Sequence, residues 1–179
     1  MKGRMPRLAN RARLVPMALA LLVLSACGLH PLYSGGGSGA VARTLGAVEV
    51  APIGTGGAAG WLVRTALEDR LGAAGQSAAR YRLEVELDDQ ITGFGVRSDD
   101  AVTRERRTLR ARYRLREIEK GTVVLDATAG SDAGIDVVGS GYATIAAEQT
   151  ALENLSNEVA DQIVTRLALY RSRDGAPGK

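Results

Sequence analysis

Few residues of this sequence are equipped for covalent or acid–base chemistry. Among 179 residues there is one cysteine, Cys27, and one histidine, His30, three positions apart. A nucleophile needs a base held against it inside a fold, but His30 precedes a Gly/Ser-rich stretch, Ser34 to Gly39, and stands outside any expected core. No His/Cys cluster could hold zinc. The adjacent acids Asp88-Asp89 and Asp99-Asp100 lack the spaced oxygen ligands of a calcium loop and read as solvated turn acids. Gly54-Thr55-Gly56-Gly57-Ala58-Ala59 formally fits a dinucleotide fingerprint, yet that fold needs several further parallel strands. The remaining sequence offers hairpin-like alternation instead, so these residues read as a loose loop. No catalytic residue, metal or cofactor is expected.

Cationic chemistry remains. Arg104, Arg106, Arg107, Arg110, Arg112, Arg114 and Arg116 crowd one short segment. The last four alternate with Leu109, Ala111, Tyr113 and Leu115, so they line one face of a strand. Arg82, Glu84, Glu86 and Asp88 line the polar face of the adjoining one, and cross-strand pairs of opposite charge contribute roughly 0.2–1 kcal/mol each. Arg104, Arg106 and Arg107 have no evident acid partner beyond Glu105. A planar guanidinium fork suits phosphate, so these three are expected to meet an anionic lipid headgroup or the acidic wall of a partner.

The thiol has its own chemistry. Residues 1–26 hold Lys2, Arg4, Arg7, Arg11 and Arg13 and no acid, followed by an apolar run from Leu14 to Leu24. That run is well short of the roughly 20 residues that span a bilayer and reads as a signal-peptide core. Leu24-Ser25-Ala26-Cys27-Gly28 then resembles a bacterial lipobox, in which the cysteine is lipidated and becomes the new N-terminus. A lone cysteine in an exported chain has no internal disulfide partner, and two or more acyl chains make a durable anchor. Gly28 replaces the aspartate that retains such proteins in the inner membrane, which favours the outer membrane, on its periplasmic side. Loss of the signal leaves 153 residues carrying 18 basic and 20 acidic side chains. The mature chain is therefore slightly acidic, and no basic motif interleaved with aromatics points to nucleic acid.

The expected organisation is a cleaved segment 1–26, a lipidated tether 27–42, one folded domain 43–173 and a disordered tail 174–179. Within the domain, Ala47 to Ala51 alternates as a short strand, and Val63, Ala66, Leu67 and Leu71 recur at helical spacing. Tyr81 to Asp88 and Leu109 to Arg116 alternate cleanly. Glu119-Lys120-Gly121 turns into a fourth strand, Thr122 to about Ala129, and a Gly-rich stretch runs from Gly130 to Gly141. Leu152, Leu155, Val159, Ile163, Leu167 and Tyr170 then mark a long amphipathic helix. Strand, helix, three strands, helix is an α+β two-layer sandwich: about four mainly antiparallel strands with two helices on one face.

The lipobox, the segment Gly28-Leu29-His30-Pro31-Leu32-Tyr33 and this element order together resemble the LptE family of lipopolysaccharide-assembly lipoproteins. Ala111-Arg112-Tyr113-Arg114-Leu115, and Ala160-Asp161-Gln162-Ile163 before Arg166-Leu167, resemble its alphaproteobacterial members. The resemblance implies a non-enzymatic plug inside the large β-barrel LptD, which it helps to assemble, with a part in delivering lipopolysaccharide to the outer leaflet. An auxiliary lipoprotein of another envelope transporter, or a lipid-modified envelope hydrolase, would share the anchor.

Overall fold

The computed structural model describes residues 40–75, 77–96, 102–137 and 139–174. Residues 1–26, Cys27, the segment through Tyr33, Asp99-Asp100 and residues 175–179 lie outside them.

Seven elements follow in order: α1 (Ala40–Leu45), β1 (Val48–Val50), α2 (Ala58–Gly72), β2 (Tyr81–Val96), β3 (Val102–Glu117), β4 (Val123–Asp136) and α3 (Gly141–Asp174). They form a mixed four-stranded sheet in the order β1-β2-β3-β4, with β1 parallel to β2 and the other pairs antiparallel. The fold is α+β with a mostly antiparallel sheet. The alternation of β2 and β3 is what builds its core. Tyr81, Leu83, Val85, Leu109, Ala111, Tyr113 and Leu115 all point to one face and are buried there. Val63, Leu67 and Leu71 of α2 and Leu152, Leu155, Val159, Ile163 and Leu167 of α3 close over them.

Three expectations change. α1 lies partly within the stretch read as tether: Ala42 and Leu45 are buried, so order begins by Ala40. Six residues are too few to show a helical period. β4 does not stop near Ala129 but runs through the Gly-rich stretch to Asp136, pairing residue by residue with β3 as far as Arg104. Helix α3 reaches Asp174, the first residue assigned to the tail.

The loop before α2 is not loose. Gly56 and Gly57 have positive φ, 82° and 52°, a region that side chains rarely enter. Thr55 Oγ1 accepts the Leu87 N–H at 2.9 Å, stitching the loop to β2. Those glycines serve a turn against a strand.

Candidate functional site: a charged sheet face

The core takes one face of the sheet and leaves the other to charge. Strand alternation and the registers place Arg82, Arg104, Arg106, Arg110, Arg112, Arg114 and Arg116 on this open face. Glu49, Glu84, Glu86, Asp88, Asp126, Asp132 and Asp136 share it. Among the described residues of the sheet the two signs balance.

The wiring is cross-strand. Arg114 sits between Glu84, at 3.9 Å, and Glu86, which it also hydrogen-bonds, while Arg116 reaches Glu84 at 3.2 Å. Arg112 turns instead to β4 and forks onto both carboxylate oxygens of Asp126, at 3.2 and 2.9 Å. That hydrogen bond holds the Asp126 carboxyl below its usual range. Arg82 faces Arg116 in the register and leans away to Glu49, at 3.6 Å. Arg110 is the exception: it makes no ion pair among the described residues and donates to the Ser131 carbonyl at 3.3 Å. Its side chain lies over Gly130, where an added Cβ would sit 2.5 Å from Arg110 Cδ. An open cleft of about 750 Å³ surrounds this point, lined by Arg110, Arg112, Glu86, Asp88 and Asp132. Its mixed signs single out neither an anion nor a cation.

Arg104, Arg106 and Arg107 do have acid partners, contrary to the sequence reading. Arg104 pairs with Asp136 at 3.0 Å and Arg106 with Asp132 at 3.9 Å. Arg106 also lies over the Phe94 ring, 5.5 Å from its centroid. Arg107 forks onto Asp89, at 2.9 and 2.6 Å, and donates to the Glu148 carbonyl of α3 at 3.0 Å. These acids are 18 to 32 residues away in sequence, so local inspection does not find them. Nor do the three share a surface: Arg107 is odd-numbered, faces the helices, and its side chain is 12% exposed. Asp89 is therefore a strand residue in an ion pair, not a turn acid. Glu105 points the same way as Arg107, and its Oε2 is buried without a hydrogen-bond partner.

Among the described residues no group of His, Cys, Asp or Glu side chains could hold a metal, and no helix is long and apolar enough to cross a membrane. The Tyr113 phenol is pushed above its usual range by burial in the core. Asp161 is held low by hydrogen bonds from Arg70, which ties α2 to α3.

The fold has known counterparts. A lipoprotein from Caulobacter crescentus matches with TM-score 0.63 at 27% identity, covering 78% of this chain and all of its own. Rare lipoprotein B from Shewanella oneidensis matches with TM-score 0.58 at 9% identity, covering 73% of this chain and 98% of its own. A minor lipoprotein from Acinetobacter baumannii matches with TM-score 0.54 at 14% identity, over 69% and 90%. No curated protein sequence matches the chain. The family model for LptE, lipopolysaccharide-assembly, spans residues 45–167, from the end of α1 deep into α3. By that match the chain belongs to the LptE family of lipopolysaccharide-assembly proteins.

Proposed function

We propose that this protein is a non-enzymatic outer-membrane lipoprotein, anchored on the periplasmic side through lipidated Cys27. It plugs and assists assembly of the LptD β-barrel and takes part in lipopolysaccharide delivery to the outer leaflet. The observation that carries this reading is the balanced, cross-wired charge of the open sheet face. Exposed ion pairs stabilise a fold by only about 0–1 kcal/mol each, so stability alone does not account for so many. A surface that must sit in a polar, water-filled barrel lumen does account for them, because most of its charges are paired and the two signs balance among the described residues.

The proposed lipopolysaccharide or partner contacts narrow to Arg104 and Arg106, whose guanidinium groups are exposed. The fork of Arg107 is committed to Asp89 and Glu148. The test is purification of the tagged full-length protein in mild detergent: a large β-barrel should come with it, and recovery without one would sink the proposal.

A further inference from the structure

The two long edges of the sheet are finished differently. At the β4 edge one side chain of α3 caps Gly130. Gln162 donates from Nε2 to the Gly130 carbonyl at 3.2 Å and accepts the Gly130 N–H on Oε1 at 3.1 Å. A side-chain amide thus stands where the peptide of a fifth strand would stand, and Ser131 donates to Glu158 beside it.

The β2 edge is closed only at its start. β1 pairs with Tyr81 to Leu83, and Thr55 takes the Leu87 N–H. Beyond Leu87 no described strand lies on that side. Even-numbered residues of β2 turn their backbone groups to β3, while Leu83 and Leu87 already turn theirs outward. By the same alternation, Asp89, Ile91 and Gly93 present N–H and C=O to the open side. Natural open edges carry charge or proline that repels a second strand. Here Gln90 to Phe94 are uncharged, and the Asp89 carboxylate is neutralised by Arg107. Ile91 and Phe94 are 43% and 40% exposed, one on each face of the strand.

We propose that the outer edge of β2 from Asp89 to Gly93 takes up an extended, uncharged segment of the barrel partner by strand addition, with an apolar side chain of that segment against Ile91. This rests on the barrel-plug reading above. Charge argues for such an occupant, since Gln90 to Phe94 carry no charge of their own and Asp89 is already paired with Arg107. Area argues against a second copy of this chain. Pairing over five residues falls far below the roughly 1,000 Å² that a specific interface buries, whereas a barrel that also surrounds the charged face supplies the remainder.

Hydrogen exchange on the full-length protein, free and in complex with the co-purified barrel, tests this directly. The outward amides of Asp89, Ile91 and Gly93 should exchange at least about tenfold more slowly in the complex, as β-augmentation requires, while those of Gln90 and Thr92, already turned to β3, should change little. Ile91→Pro removes an outward N–H without touching the β3 ladder, a position where an edge strand tolerates proline. It should reduce barrel recovery about fivefold or more, and Ile91→Lys, which keeps the N–H, should do the same through charge. If Ile91→Pro fails to fold, Ile91→Lys and the exchange data decide. A recovered barrel with no protection of these amides overturns the strand addition and leaves the plug reading intact. Failure of the unsubstituted protein to recover a barrel overturns the plug reading, and this inference with it. Protection that grows with concentration in the free protein assigns the edge to a second copy and also overturns it.

Discussion

The same two strands build both faces of this sheet, yet the faces do different work. Toward the helices, Leu83, Leu109, Tyr113 and Leu115 are 2% exposed or less, and burial of that kind contributes roughly 25 cal/mol per Å² of apolar surface. Toward solvent, charged side chains pair in a high dielectric and contribute little. Stability therefore resides on one face. The other is left to be shaped by what it contacts. Arg107 and Asp89 cross this division, as a charged pair on the helix side, and they show what charge costs when it is covered.

The comparison breaks most easily at its apolar side. Tyr113→Ala should cost about 3–5 kcal/mol in urea unfolding, the range for emptying a buried aromatic position. A cost under about 1 kcal/mol would mean that the two faces are not so unequal. Next in size is Arg107→Ala, which leaves Asp89 covered and unpaired and should destabilise by about 2–3 kcal/mol. The double variant Arg107→Met with Asp89→Leu should be more stable than Arg107→Ala, because two well-packed apolar groups replace an orphaned charge.

A smaller effect is expected from acid. Asp161 is held below the usual carboxylate range by Arg70. The stability it contributes is complete above the unfolded value near about pH 3.9 and is lost as pH falls through the lower folded value. Asp161→Asn should flatten that limb of the stability curve and leave the region above pH ~5 unchanged in slope. The smallest effect belongs to the open face. Arg104→Ala with Arg106→Ala should shift unfolding by no more than about 1 kcal/mol while weakening lipopolysaccharide binding in a direct titration. A large loss of stability there would make these arginines structural.

Which residues share a face was legible in the sequence, because alternation within a strand is local. Leu109 to Arg116 and Tyr81 to Asp88 show it plainly, and so do the stepped leucines of α3. The acid partners of Arg104, Arg106 and Arg107 were not legible, since the register that brings Asp136, Asp132 and Asp89 to them pairs residues 18 to 32 apart across long hairpins. The second half of β4 was hidden by its composition. Gly130, Ser131, Asp132 and Gly134 are poor strand formers, and they are held extended by pairing to β3 and by the Gln162 amide. Cys27 and the segment Gly28 to Tyr33, which carry the resemblance at the N-terminus, lie outside the described residues.

The Gln162 cap also sets an order of events in time. It lies 32 residues after the glycine it covers, so a chain emerging from its N-terminus completes β4 well before the helix can fold back onto it. During that interval both edges of the sheet are open and the apolar face lacks α3. Such intermediates are prone to aggregate. Closing the fold thus waits on its last helix, and a chain stalled before Gln162 would leave uncapped the Gly130 peptide groups that the finished protein covers.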